Sequence, residues 1–385
     1  MAAPLKTIRV VELGTYITGP SAAMLLGDLG ADVIKVERPD TGDPFRAFNG
    51  GLYSPHFQAY NRNKRSIALD VRDESQYSVF RSLVETADVF IQNFRPGVAA
   101  KLGCDSATLC ALNPRLVYCA ISGFGQTGPY RERPAFDTVA QAASGFLRLV
   151  TPPEHPRVIG PAIADAVTGQ YAALGIMAAL VERARTGKGK VVELSMLEAM
   201  TSFNIDSFTH YFSEGEVMGP LSRPEVSQSY TFRCADGGWI AIHMSSPEKF
   251  WVGLTEAVGM PGLRTDPRFV DRVARIAHQD DLIAILSPVF ATRDRARWCD
   301  ELAAQGVPHS AAYEADEALD DPQAVHLKLA VSVQGSAGEL YRSVRPPYHF
   351  DGEIDTTIVP PPVLGQHGEE IRAELERRQA LERHN

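Results

Sequence analysis

Ile8-Arg9-Val10-Val11-Glu12-Leu13, then Gly19-Pro20, then Asp32-Val33-Ile34-Lys35-Val36-Glu37 set the expected fold. The first run is apolar enough for a buried strand. Pro20 suits a first helical position, where its missing N–H is not needed. The helix predicted from there runs through Leu29 and stops at Gly30, and the third run is the next strand. Strand, helix, strand is a unit that builds parallel sheets with right-handed crossovers. The pattern recurs: a strand at Ser66–Asp70, a helix at Glu74–Thr86, and strands at Ala87–Ile91, Leu116–Ile121 and Val191–Leu194. The predicted class is α/β, with a Rossmann-like open parallel sheet forming a large domain over residues 1–200.

Residues 201–229 change character. Phe, Tyr, Glu, Ser and Pro mix without a period, and the expectation is a linker: a helix, then a long connection from Gly219 to Ser229. A small α+β domain is expected over 230–320. It opens with a hairpin, Tyr230–Ile242, turning at Asp236-Gly237-Gly238, and helices follow at Pro247–Val258, Asp280–Pro288 and Asp294–Gln305. Residues 321–385 read as a return linker and the C-terminal part of the large domain. Strands are expected at Val344–Phe350 and Thr357–Leu364, and a charged helix at Glu369–Arg383.

With 385 residues and 44 % hydrophobic residues, the chain has material for a substantial core. A formal net charge of -9 argues against a nucleic-acid partner, whose binding face is normally basic. The five cysteines are widely spaced, with no CxxC pair and no Cys/His cluster of zinc spacing, so neither a disulfide framework nor a metal is expected. Met1–Lys6 lacks an apolar signal core, and no charge-free run of about 18 apolar residues is present. The expectation is a cytoplasmic protein with no membrane partner. The turn after the first strand, Gly14–Pro20, lacks G-x-G-x-x-G, and no G-x-x-x-x-G-K-[ST] occurs, so neither nucleotide fingerprint is present.

The chemistry-bearing stretch is Gly160-Pro161-Ala162-Ile163-Ala164-Asp165-Ala166-Val167-Thr168-Gly169. It sets one carboxylate among small apolar residues where a long helix begins. No Lys or Arg stands within four residues of Asp165 to neutralise it. An Asp at a helix start is commonly a cap or a dipole partner. It is also a potential nucleophile: a carboxylate in a small-residue pocket attacks an activated acyl group to form a mixed anhydride. The same two readings apply to Asp137, which precedes a helix onset at Thr138 and reads first as an N-cap.

Basic residues collect where strands end. Arg38 and Arg72 follow two of them, and Arg95 and Lys101 follow a third, next to Asn93-Phe94. Ligands of open α/β sheets bind beyond the carboxyl ends of the strands, so these cations are candidates to meet phosphates. Gly123-Phe124-Gly125-Gln126-Thr127-Gly128-Pro129 is a flexible loop after a further strand.

In combination these segments resemble one family. Val11-Glu12-Leu13 with Gly19-Pro20, Leu29 to Pro39 with Gly42-Asp43, Asn63-Lys64-Arg65-Ser66, Asn93 to Gly97, Gly123-Phe124-Gly125 with Gly128-Pro129, and Asp165 with Gly169 look like the class III coenzyme A transferases. The resemblance covers nearly the whole chain. It implies a Rossmann-like large domain, a small domain, and a homodimer of two interlocked rings. It implies coenzyme A as substrate and product, together with acyl-CoA and carboxylic acid substrates. By resemblance Asp165 stands at the position of the nucleophile. Arg38, Leu69, Arg72, Asn93, Phe94 and Lys101 fall at the nucleotide end of CoA, Ile17 and Thr18 near the thioester arm, and Phe136 with Asp137 beside the thiol.

Two departures from the family pattern narrow the activity. The racemase branch has a His before the acidic residue at 136–137; this chain has Phe136, which cannot serve as the second base that racemisation needs. The formyl-CoA transferases carry a glycine-run lid, where this chain reads Ile242-His243-Met244-Ser245-Ser246-Pro247. The expected activity is therefore CoA transfer from an acyl-CoA to a free acid through aspartyl anhydride and aspartyl-CoA intermediates. A 2-methylacyl-CoA racemase or epimerase and a catalytically silent CoA-binding protein are the alternatives.

Overall fold

The computed structural model describes residues 3–335 and 340–383. It divides into two compact units. One comprises Met1–Leu147, Val158–Ile205 and His326–Asn385, and the other Arg148–Arg157 and Asp206–Val325.

The first unit is built on six strands: β1 (Arg9–Leu13), β2 (Asp32–Glu37), β3 (Lys64–Ala68), β4 (Val89–Gln92), β5 (Val117–Ser122) and β6 (Lys190–Ser195). They pair in the order β3-β2-β1-β4-β5-β6, and every pairing is parallel. This is the doubly wound order, which reverses direction between β1 and β4 and opens a crevice there beyond the carboxyl ends of the strands. Neighbouring strand residues face opposite sides of the sheet. Val11, Ile34, Ile67, Phe90 and Tyr118 pack with Phe80, Leu83, Ile371 and Leu375 on one face. On the other, Val10, Val33, Val89, Ile91 and Cys119 pack with Ala22, Ala23 and Leu26 of helix Thr18–Asp28 and with Ala172, Ile176 and Ala179 of helix Ile163–Thr186.

Helix Ile163–Thr186 is long and apolar enough to cross a membrane by length and composition. Here its apolar side is built into this second core layer, and its Arg183 bonds the Asp88 carboxylate at 2.8 Å. Gly169 sets its closeness to helix Thr18–Asp28. A Cβ at 169 would lie 2.8 Å from Ser21 Oγ and 3.2 Å from the Thr18 carbonyl. That contact draws the starts of the two helices together.

Lys35 and Glu37 alternate inward from β2 and enter a fully buried charge network. Lys35 reaches Glu12 at 2.7 Å and Asp43 at 3.0 Å, Lys64 reaches Glu12 at 2.8 Å, and Arg46 reaches Glu37 at 2.7 Å. Three cations thus face three carboxylates, which is what makes burial tolerable. Lys35 also donates to the Gly14 carbonyl at 2.9 Å, tying the network to the loop after β1.

The second unit holds a three-stranded antiparallel sheet of β7 (Ser229–Arg233), β8 (Trp239–His243) and β9 (His309–Ala312). Helices Glu248–Ala257, Gln279–Phe290 and Arg295–Ala304 pack on it, with Phe232 stacked on Phe290 at 4.4 Å between ring centroids. The stretch between the two sheets carries more helix than its composition suggests: Ile205–Glu214 and Ser222–Ser227 are helical.

Two local expectations are corrected. Thr357–Leu364 is not a strand. Pro360, Pro361 and Pro362 have no N–H to offer a ladder, and the segment is held instead through its carbonyls. Asn63 N–H donates to Val359, Tyr53 to Pro361 and Arg46 to Pro362. In Val344–Phe350 only the two ends are extended, as parts of strands Leu340–Val344 and His349–Phe350.

Candidate active site

The loops that leave β1, β4 and β5 meet at the switch point. They enclose a cavity of about 380 Å³ lined by Tyr16, Ile17, Thr18, Asn93, Phe94, Phe136, Asp165 and Met196, with Arg95, Arg131 and Arg133 also on its wall. All of these residues belong to the first unit. A larger cavity of about 650 Å³ lies in the second unit between Asp236, Arg295, Glu314 and Glu317, and is lined by none of the candidate site residues.

The β1 loop is held in an unusual shape. Tyr16 has φ +63°, and its N–H donates to the buried Asp43 carboxylate at 3.1 Å. Asn93 pins the same loop. Its side-chain amide donates to the Thr15 carbonyl at 2.7 Å and to Thr18 Oγ1 at 2.9 Å, while its Oδ1 accepts from Thr15 N–H at 2.9 Å. A Cβ on Gly14 or Gly19 would come within 3.3 Å of that amide.

Asp165 is the third residue of helix Ile163–Thr186. It does not cap the helix, and neither does Ala162 at the N-cap position. The cap comes from elsewhere in the chain: Asp137 Oδ1 accepts from Ala164 N–H at 2.7 Å and from Asp165 N–H at 3.2 Å. This corrects the N-cap reading of Asp137. Its own helix, Asp137–Ala143, starts from Phe136 without a side-chain cap, and Gln141 donates to the other Asp137 oxygen. Phe136 itself is exposed and stands edge-on to Tyr16 at 5.9 Å.

Burial, and next the negative charge of Asp137, push the Asp165 carboxyl up to about 7. Its first-turn position favours the ionised form, so these two effects outweigh the helix terminus. Tyr60 is raised as well, by burial and then by the charges of Asp165 and Asp137, which places it within their field. Backbone amides at the start of helix Ile163–Thr186 and in the loop 123–128 are candidates to stabilise an oxyanion, and several are already engaged. Those of Ala164 and Asp165 serve Asp137, that of Ala166 bonds the Ala162 carbonyl, and that of Gly125 bonds Ser122 Oγ.

The structure therefore brings Ile17, Thr18, Asn93, Phe94 and Phe136 onto one cavity wall with Asp165, with Asp137 behind it. The other four sequence candidates lie off that wall. Arg38 is exposed just after β2, and Lys101 is exposed in the short helix Val98–Lys101. Leu69 is buried in the sheet core. Arg72 pairs with Asp70 at 2.8 Å, and that guanidinium, aided last by Arg38, holds Asp70 down to about 2. All four still follow carboxyl ends of parallel strands, the edge where the cavity opens. Sequence reasoning did not single out Tyr16, Arg131, Arg133 or Met196. The available signal for the arginines was two cations in the loop that leads from β5 to Phe136-Asp137.

Outside this site, His210, Glu214 and Glu216 of the second unit bring side-chain donor atoms close enough together to hold a cation. All five cysteines are free, and burial raises their thiols.

Residues 5–368 match the family described as CoA-transferase family III. The chain is similar to the succinyl-CoA–D-citramalate CoA-transferase of Chloroflexus aurantiacus, at 36 % identity over 97 % of this chain and 94 % of that protein. It is similar to the succinate–glutarate CoA-transferase of Agrobacterium fabrum, at 34 % identity over 97 % and 96 %. Among solved structures, a CAIB/BAIF family protein from Brucella suis superposes with a TM-score of 0.86, at 35 % identity, over 97 % of this chain and 100 % of that one.

Proposed function

This chain belongs to CoA-transferase family III and is a class III CoA-transferase, and from that premise we propose that it moves CoA between carboxylic acids through covalent intermediates on Asp165. The Asp165 carboxylate attacks the thioester carbonyl of the donor. The C–S bond breaks, leaving an acyl-aspartyl anhydride and CoA thiolate. The thiolate then attacks the aspartyl carbonyl, the donor acid departs as its carboxylate, and an aspartyl-CoA thioester remains. The acceptor carboxylate displaces CoA from aspartate to give a second anhydride. Attack by the thiolate on the acceptor acyl carbonyl releases the new acyl-CoA and restores Asp165. Two covalent halves keep the thioester's energy, which free hydrolysis would dissipate.

The observation that carries this reading is a partly buried carboxylate, raised to about 7, on the wall of the switch-point cavity. A carboxylate with a raised pKa is a stronger nucleophile once ionised. Ile17, Met196, Phe136 and Tyr16 supply apolar lining, which suits an anhydride that water would destroy. Phe136 has no proton to exchange with a substrate α-carbon, which favours transfer over racemisation. The similar transferases are named for succinate, citramalate and glutarate, and this supports dicarboxylic acids as substrates here. Nucleotide contacts from Arg38, Leu69, Arg72, Asn93, Phe94 and Lys101, an interlocked homodimer, and a cytoplasmic site of action complete the proposal. Exposed Ile205, Phe212 and Val217 along the inter-sheet stretch support burial of that stretch by a partner copy.

The test is a panel of acyl-CoA donors and free acids read by mass spectrometry, with Asp165→Ala beside the wild type. The wild type transfers, and the variant loses roughly a thousand-fold or more of the rate while still binding CoA. Undiminished turnover in the variant refutes the mechanism.

A further inference from the structure

Three arginines border the Asp165 cavity, and they are not alike. Arg131 is neutralised by Glu132 at 3.0 Å. Arg95 has no carboxylate partner among the described residues, but it belongs to the β4 loop beside Phe94, a residue proposed above for the nucleotide end of CoA. Arg133 lies over the Tyr130 ring, 3.8 Å from its centroid, and no carboxylate among the described residues pairs with it. Tyr130 is itself braced edge-on by Phe124 at 5.7 Å. The stack sets the plane of the Arg133 guanidinium and leaves its N–H edge open to a ligand.

Its place in the chain matters as much. Arg133 stands three residues before Phe136, which precedes the aspartate that holds the Asp165 N–H. Three residues of chain span at most about 10 Å, and Arg133 lines the same cavity as Phe136 and Asp165. An acid that brings one carboxylate to Asp165 adds negative charge beside Asp165 and Asp137. A second carboxylate on the same molecule needs a cation within the length of a short carbon chain. The planar fork of an unpaired arginine matches a carboxylate with two parallel hydrogen bonds.

We propose that Arg133 receives the distal carboxylate of a dicarboxylic acyl group and so selects dicarboxylic over monocarboxylic substrates. The assignment rests on the transferase reading of Asp165. Both half-reactions place an acyl group on that one aspartate, so the same arginine reads donor and acceptor.

The experiment measures binding, with the chemistry blocked by Asp165→Asn. Succinyl-CoA, butyryl-CoA and free CoA are titrated calorimetrically into that protein, and into the same protein carrying Arg133→Ala or Arg133→Lys. The two thioesters have equal chain length and differ in carboxylate against methyl. The expected result is tighter binding of succinyl-CoA than of butyryl-CoA when Arg133 is present. Arg133→Ala weakens succinyl-CoA about ten-fold and leaves butyryl-CoA and CoA within about two-fold, and Arg133→Lys recovers part of the loss. Equal weakening of all three ligands makes Arg133 a phosphate anchor and overturns the proposal. An unchanged affinity for succinyl-CoA overturns it too. If none of the three binds while Arg133 is in place, the CoA reading of the cavity falls first, and the role of Arg133 falls with it.

Discussion

Asp137 holds Asp165 by its backbone and opposes it by its charge. One Asp137 oxygen accepts the Asp165 N–H at 3.2 Å and the neighbouring Ala164 N–H at 2.7 Å, and the same carboxylate is the second cause of the raised Asp165 value. The two effects separate by substitution. Asp137→Asn keeps an oxygen for the helix start and removes the charge. It is expected to move the acid limb of the kcat/KM profile to lower pH, with little change in unfolding midpoint. Asp137→Ala removes both, and is expected to add a stability loss of about 1 kcal/mol. Equal pH profiles for wild type and Asp137→Asn count against this coupling.

The Asp165 value has a sign that can be checked in both rate and stability. On the proposed mechanism only the ionised Asp165 attacks, so kcat/KM is expected to rise with pH, with a midpoint near 7. The folded value lies above the ordinary 3.8, so the folded protein holds a proton there that the unfolded chain has lost. Stability from this group is full below about pH 4 and is lost as pH rises through about 7. Asp165→Asn therefore unfolds at the same temperature as wild type near pH 4 and at a higher temperature at pH 8. The gain is on the order of 1–3 kcal/mol, reduced by partial solvent access. Thermal scans at the two pH values decide it.

Gly169 places helix Ile163–Thr186, which carries Asp165, against helix Thr18–Asp28. Gly169→Ala puts a methyl 2.8 Å from Ser21 Oγ, and overpacking of this kind costs about 1–3 kcal/mol. The expected outcome is lowered stability together with lowered kcat, because the displacement occurs one turn from Asp165. Ser21→Gly added to Gly169→Ala is expected to restore much of both. No recovery in the double variant would show that the contact does not set the spacing.

Glu12 is the shared partner of two buried ammonium groups. Full burial alone would raise its carboxyl, yet Lys35 and Lys64 hold it below the usual range. Burial and then the neighbouring Lys35 charge, against the pull of Glu12, leave Lys64 at about 8. Glu12→Gln strands those cations, and removing one partner of a buried pair costs about 3–5 kcal/mol. Chemical denaturation at pH 7 measures this; a loss below about 1 kcal/mol contradicts it.

The sheet was legible because its strands are short apolar runs fenced by Gly, Pro and charge. Asp32–Glu37 and helix Glu74–Thr86 match their predicted limits. Thr357–Leu364 misled because Val, Ile and Leu there suggest a strand, while three successive prolines deny it donors. Asp165 stood out as an unneutralised carboxylate at a helix start. What sequence could not give was its partner, 28 residues away, since Asp137 reads as the cap of its own helix and caps another instead. The Lys35-Val36-Glu37-Arg38-Pro39 run carried the family resemblance most strongly, yet only Arg38 of its charges is exposed; Lys35 and Glu37 are interior, and Lys35 ties down the β1 loop. Arg133 escaped notice because charge beside a loop usually faces water, and only the cavity wall gives it a direction.

The covalent step is tested most directly by trapping. The protein is incubated with an acyl-CoA that supports transfer, quenched with hydroxylamine, digested, and the peptide containing Asp165 is weighed. The account predicts an aspartyl hydroxamate at residue 165 that depends on the thioester and is absent from Asp165→Ala. An unmodified Asp165 peptide in an enzyme that is turning over contradicts it.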